Sequence, residues 1–383
     1  MLPKKLLDKI DARARDNSLR SLGLRKDLLD FSSNDYLGFS SSKKIYNKAC
    51  SILKQHNYQA NGATGSRLLT ANHPLYLDTE KQIAAFHNSP SALIFNSGYD
   101  ANIGFFSSVP QRGDVILYDA LCHASIRDGI TMSHAKGYKF AHNNLQALEA
   151  LLETQNTSGK TRPEIYVVTE AVFSMDGDMP PLKAIASLCE KYSAYLVVDQ
   201  AHATGVIGCK GKGLVQELAL EDLVFARIVT FGKALGSHGA AILGSYELKS
   251  YLINFARSFI YTTALPPHTL ATIGAAYSEL EHNSDAIEKL HNNISTLQKC
   301  ILDAQLTTHF IPSQSAIHCC IIKGNVATKD ISALLQQKKF DVKAILSPTV
   351  PKGQERLRIC LHSYNKKEDI KALVALLKEC LTP

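Results

Sequence analysis

The sequence predicts an α/β protein with a large domain on a mostly parallel central sheet and a smaller C-terminal α+β domain. Three observations carry this. First, short apolar runs rich in Val and Ile recur between residues 41 and 265: SALIF (91–95), DVILY (114–118), EIYVV (164–168), AYLVV (194–198), ARIVT (226–230) and AAIL (240–243). They are nearly continuous rather than alternating, as expected of strands buried on both faces. Second, helical stretches separate the runs, as the crossovers of a parallel sheet require. Third, the pattern changes after about residue 300. SAIHCCII, a helix near Asp330–Gln337, a short strand near Val342, RLRICL and a last helix from Lys366 read as a smaller α+β domain.

In chain order, a weakly amphipathic helix is expected from Leu6 to about Arg20. A strand and turn follow at Leu28–Phe39, and long helices occupy His268–Cys300. The expected divisions are an N-terminal arm (1–40), a large domain (41–280) and a small C-terminal domain (281–383). A chain of 383 residues exceeds one typical domain of roughly 100–200 residues. No internal repeat or low-complexity linker interrupts it.

Composition removes several function classes. The net charge is +7, but Lys and Arg are scattered rather than striped, so no nucleic-acid partner is expected. The mild positive field would help attract anionic substrates, and it serves solubility equally well. The nine cysteines form no C-x-x-C pair, and Cys319–Cys320 are adjacent. That pattern suits reduced thiols in a cytoplasmic protein rather than a zinc site or disulfide framework. The N-terminus MLPKKLLDKIDARARD is too charged for a signal peptide. No run approaches the roughly 20 apolar residues of a membrane span.

Ligands of open parallel sheets bind beyond the carboxyl ends of the strands. Three runs end there in capable side chains: Glu170, then Asp199 with His202, then Thr230 with Lys233. Lys233 sits in TFGKALGSHG, where glycines and small residues let a ligand approach closely. The loop lacks the Walker A spacing. Pyridoxal phosphate needs an amine that binds it covalently and an acid that keeps its ring nitrogen protonated. It also needs N–H groups for its phosphate and a group stacked on its ring. Lys233 and Asp199 meet the first two needs. Asn96-Ser97-Gly98-Tyr99, opening a helix, suits the phosphate, and His123 in DALCHASIRDG suits the stacking position.

These segments resemble the α-oxoamine synthases, fold type I pyridoxal-phosphate transferases. The resemblance runs through FSSNDYLGFS, GATGSRLLTANHPLY, FNSGYDAN, DALCHASIRDG, TEAVFSMDGDMPPL, VVDQAHATGVIG, VTFGKALGSHGAA, YTTALPP and SPTVPKGQERLRI, which together span nearly the whole chain. It implies that Lys233 carries the cofactor and acts as acid and base at the substrate α-carbon. By the same resemblance Asp199 pairs with the ring nitrogen, His123 stacks on the ring, and His202 and Ser174 lie near its phenolic oxygen. Thr230 and the Gly98–Tyr99 backbone hold the phosphate, with Thr262 and Thr263 reaching it from the neighbouring subunit of a homodimer. Arg358 grips the amino-acid carboxylate through its bidentate fork, and Arg20 lies near the acyl substrate. The implied reaction is decarboxylative condensation of L-alanine with a pimeloyl thioester, carried on CoA or an acyl carrier protein, in biotin biosynthesis. Thr64, Gln200, Ala203 and Leu346 depart from the usual pattern; Leu346 stands where many members have an arginine. Sister activities that use glycine or another, long-chain acyl-CoA, a fold type I aminotransferase and a non-catalytic scaffold subunit are the alternatives. The last would not need Lys233, Asp199 and His123 together.

Overall fold

Twelve strands are present in the computed structural model, which describes residues 2–22, 27–156 and 162–381. In chain order the strands are β1 (Leu29–Asp30), β2 (Ser91–Phe95), β3 (Val115–Asp119), β4 (Lys136–Phe140), β5 (Ile165–Glu170), β6 (Tyr195–Asp199), β7 (Val224–Thr230), β8 (Ala240–Gly244), β9 (Ile317–Ile321), β10 (Phe340–Asp341), β11 (Lys343–Ile345) and β12 (Arg356–Cys360). The residues fall into two units. The larger comprises Leu37–Phe173 and Met179–Ile287; the smaller comprises Met1–Tyr36, Ser174–Asp178 and Glu288–Pro383. Against the expected boundaries near residues 40 and 280, the divisions lie at 36/37 and 287/288, and the N-terminal residues group with the C-terminal ones.

The larger unit holds a seven-stranded sheet in the order β2-β8-β7-β6-β5-β3-β4. Five of its strands, β7, β6, β5, β3 and β4, are mutually parallel, while β8 runs antiparallel to both neighbours. All six apolar runs read from the sequence are strands of this sheet, and β2 and β5 are buried at every residue. The seventh, β4 (KGYKF), escapes a sequence reading because, unlike β2 at the other edge, it is exposed at four of its five positions. Solvent on the edge removes the pressure for an apolar run, and lysines there discourage pairing with another chain.

Helices cover the sheet with a core that includes Leu93, Phe95, Phe105, Phe106, Ile126 and Val168. The helix Gly98–Ser108 begins at Ser97, whose hydroxyl accepts from the Asp100 N–H at 3.0 Å. That is ordinary N-capping. It packs on the helix Ala124–Met132 at Gly129, where a Cβ would lie 3.0 Å from the Asn102 carbonyl oxygen and 2.9 Å from Phe106 Cβ. The missing side chain sets the close approach of these two helices.

In the smaller unit β12 lies between β11 and β9, antiparallel to both. The N-terminal helix spans Lys4–Arg15 and stops short of the expected Arg20. Asn17 takes a positive φ of 51°, and the Ser18 N–H returns to the Arg13 carbonyl at 2.8 Å. This closes the helix in the manner of a Schellman turn. The strand expected in Leu28–Phe39 shrinks to β1, paired in parallel with β10.

Candidate active site

The three strand ends meet. β5, β6 and β7 are adjacent and parallel, and Glu170 is the register partner of Asp199. Asp199 is buried. Its Oδ1 accepts from the Ala201 N–H at 2.9 Å and its Oδ2 from the Asn102 amide at 2.9 Å. A carboxylate has about four lone-pair directions, so these bonds leave room for another donor. Beside it, burial pushes Glu170 well above the usual carboxylate range, and the nearby Asp199 adds to the rise. The backbone N–H of His123 donates to Glu170 Oε1.

His123 caps the helix Ala124–Met132 with its imidazole: Nδ1 accepts from the Ser125 N–H at 3.2 Å and lies 2.8 Å from Ser125 Oγ. Burial chiefly lowers its pKa; the Lys233 charge lowers it further, and Asp199 opposes them. A neutral ring at physiological pH is the physical consequence.

Lys233 lies half-buried between β7 and β8. The loop folds back on itself, with Phe231 N–H on Gly239 O at 2.9 Å, Ser237 N–H on Phe231 O at 2.8 Å, and Gly236 N–H on Lys233 O at 2.8 Å. Gly236, at φ 61°, is indispensable there, since a Cβ would sit 2.1 Å from the Ser40 nitrogen. Thr230 closes β7, and its hydroxyl donates to Gly239 O at 3.1 Å. A Cβ on Gly98 would come within 3.6 Å of Thr230 Oγ1, so the helix start and the β7 end face each other closely. Tyr99 is exposed, with its hydroxyl on Asp128 at 2.6 Å. Asn96 donates to Thr262 Oγ1 at 2.9 Å and to the Thr263 carbonyl at 2.6 Å, which places both threonines at this end of the sheet. His202 is buried in the turn after β6.

Ser174, Arg358 and Arg20 belong to the smaller unit. Residues 356, 358 and 360 share one face of β12, as strand periodicity dictates. Arg358 donates from Nε to Ser174 O at 2.7 Å, from Nη1 to Cys360 Sγ at 2.9 Å and from Nη2 to Asn34 Oδ1 at 3.0 Å. Arg356 is tied instead to Asp176 at 2.6 Å and Met175 O at 3.0 Å. Arg20 is exposed and donates to Thr349 Oγ1 at 3.1 Å. Among the described residues no group of three or more His, Cys, Asp or Glu is placed to hold a metal, and no helix is long and apolar enough to cross a membrane.

Asn102 and Ser125 escaped the sequence reading. Their signal was positional: Asn102 stands four residues after Gly98, one helical turn on, and Ser125 two residues after His123.

Residues 26–377 match the family described as "Aminotransferase class I and II". The chain belongs to that family. Among its curated relatives, an 8-amino-7-oxononanoate synthase of Emericella nidulans is 41% identical over 368 residues, covering 90% of this chain and 87% of the relative. Another 8-amino-7-oxononanoate synthase, of Geotalea daltonii, is 37% identical and covers 92% and 88%. A solved 8-amino-7-oxononanoate synthase from Francisella tularensis matches with TM-score 0.77 and 28% identity, over 92% of this chain and 97% of its own. A serine palmitoyltransferase of Sphingomonas wittichii shares the fold of this family member, with TM-score 0.88 at 24% identity over 98% and 96%. The motif resemblance and the expected fold type I architecture are both borne out.

Proposed function

We propose that this chain is a pyridoxal-phosphate-dependent 8-amino-7-oxononanoate synthase, acting as a cytoplasmic homodimer. The reaction condenses L-alanine with a pimeloyl thioester and releases carbon dioxide and the thiol carrier. The observation that carries the reading is the pairing of Glu170 with Asp199 at adjacent parallel strand ends, with His123 bonded to Glu170 through its own N–H and the Lys233 charge acting on both Glu170 and His123.

The residues fit the cofactor. Asp199 offers a buried carboxylate to a protonated ring nitrogen, and Lys233 offers the amine. Gly98, Tyr99 and Thr230 flank a helix start suited to a phosphate, and Thr262 and Thr263, held by Asn96, would reach the phosphate bound by the neighbouring subunit. When bound, pyridoxal phosphate supplies an electron sink for the amino-acid α-carbon. The chain's own residues do the rest. Lys233 Nζ removes the α-proton and later returns one. Asp199 holds the compensating negative charge, His123 offers its ring as a stacking surface, and His202 and Ser174 donate or accept at the phenolic oxygen. Arg358 binds the carboxylate of alanine, and Arg20 the far carboxylate of the acyl chain.

The test supplies the gene to a biotin-requiring bacterial strain lacking this step, with Lys233→Ala as negative control. In parallel, purified enzyme with added cofactor should release carbon dioxide from alanine only when pimeloyl thioester is present, offered separately on CoA and on acyl carrier protein. Room for one methyl group is worth about 1–3 kcal/mol, so the preference for alanine over glycine should be roughly ten- to two-hundredfold. Better turnover of glycine with a short acyl thioester would move the chain to a sister activity. Amino transfer without carbon dioxide would make it an aminotransferase.

Arg358→Ala should weaken alanine binding by roughly 1.5–3 kcal/mol, the worth of a hydrogen bond to a charged group. Titration of the holoenzyme's absorption with alanine measures this. Arg356→Ala should instead lower the melting temperature, because it leaves Asp176 without its ion-pair partner. Equal loss of alanine affinity in both variants would remove the reason for choosing Arg358.

A further inference from the structure

The carboxylate and the ring histidine are joined by two residues that the proposed reaction leaves unused. Asn102 is 2% exposed and Ser125 1%. The Asn102 amide nitrogen lies 2.9 Å from Asp199 Oδ2 and 3.0 Å from Ser125 Oγ. An amide NH2 has two hydrogens, so it serves both acceptors. The reversed amide would set a carbonyl oxygen against a carboxylate, so chemistry fixes the orientation. At the amide's other end, Asn102 Oδ1 is buried with no hydrogen-bond partner. Such a group is unusual in a folded interior.

Directionality follows link by link. Ser125 Oγ accepts from Asn102, and its single proton then points to His123 Nδ1 at 2.8 Å. The Ser125 backbone N–H approaches the same nitrogen at 3.2 Å. A nitrogen facing two donors carries no proton, so the hydrogen of the neutral ring is on Nε2. The close helix approach at Gly129 makes the link possible by bringing Asn102 beside Ser125.

We propose that Asn102 and Ser125 are positioning residues, forming a one-way hydrogen-bond chain that orients the Asp199 carboxylate and fixes His123 as the Nε2–H tautomer. The catalytic consequence rests on the reading above, in which Asp199 and His123 face the cofactor ring; the tautomer itself does not.

The experiment is nitrogen-15 NMR of histidine-labelled protein at neutral pH, recorded on the full chain with and without added pyridoxal phosphate. His123 is assigned by the signals lost in His123→Gln. In the unsubstituted protein His123 should show one neutral tautomer, protonated at Nε2. Ser125→Ala should shift it to a mixture of tautomers, and Asn102→Leu should move it the same way. Holoenzyme turnover should fall roughly two- to tenfold in Ser125→Ala, the worth of one neutral hydrogen bond. It should fall on the order of ten- to a hundredfold in Asn102→Leu, where the bond to a carboxylate is lost. Borohydride labelling at Lys233 should persist in both variants. Should Asn102→Leu not fold, Ser125→Ala decides alone. A protonated Nδ1 in the unsubstituted protein, or His123 signals unmoved by Ser125→Ala, would overturn the chain. The NMR result does not depend on any substrate. Failure of the unsubstituted enzyme to make product would therefore sink the proposed reaction and leave this test standing, while tautomer signals that contradict the chain beside normal turnover would sink the chain alone.

Discussion

Lys233→Ala is expected to abolish product formation while leaving the fold intact. Loss of the proton-transferring amine alone should cost on the order of a hundred- to ten-thousandfold. Loss of the covalent attachment adds to that. The fold should survive because the loop is held by backbone bonds among Phe231, Lys233, Gly236, Ser237 and Gly239, none of which uses the lysine amine. Two measurements check this. Borohydride reduction of the holoenzyme followed by peptide mapping should label the peptide containing Lys233 and no other. Turnover of Lys233→Ala with alanine and thioester should be at background, while the variant still melts cooperatively as a folded protein. A label on a different lysine, or measurable turnover in the variant, would remove Lys233 from the centre of the mechanism.

Asp199→Asn is expected to bind cofactor yet lose most turnover. Asparagine keeps the size of the side chain and an acceptor for the Ala201 N–H, but it brings no charge to hold the ring nitrogen protonated. Removing one preorganised electrostatic partner costs about a hundred- to a thousandfold. The variant also sets one amide against another at Asn102, so part of the loss is local reorientation. Turnover with alanine and thioester, with cofactor content measured by absorbance in the same sample, separates binding from chemistry. Near-normal turnover would mean that Asp199 is not the partner of the ring.

Much of the fold and of the candidate site is legible in the amino-acid order alone, and the reasons are physical. The large sheet announces itself because strands buried on both faces have no alternative to continuous apolar sequence. β2 and β5, which contain SALIF and most of EIYVV, are the clearest cases. Asp199 and Lys233 stand out as candidates because each follows such a run closely. What stays hidden lacks that signal. β4 is exposed and carries two lysines, so nothing in its composition separates it from a loop. The reversal of β8 is not legible either, since AAIL is equally apolar in either direction. Asn102 and Ser125 sit on helices, and their meeting depends on the helix–helix approach at Gly129, a distance that local sequence does not encode. The grouping of Ser174–Asp178 with residues far along the chain depends on long-range bonds. Examples are Arg358 to Ser174 O and Arg356 to Asp176, in which the arginine follows its partner by 184 and 180 positions.

The reversal of β8 has a consequence for how the amine can be moved. Because Thr230 and Ala240 are register partners on antiparallel strands, residues 231–239 form a closed ring rather than a lead into a crossover helix. Both ends of that ring are anchored in the sheet, so it cannot slide. A lysine transplanted one place back, to Gly232, would start from an exposed position; one place forward, at Ala234, it would start from a side chain that is 1% exposed. The amine is therefore address-specific. In the proposed reaction the Lys233 amine has a single station, and an insertion or deletion between β7 and Lys233 would misdirect it as a substitution would.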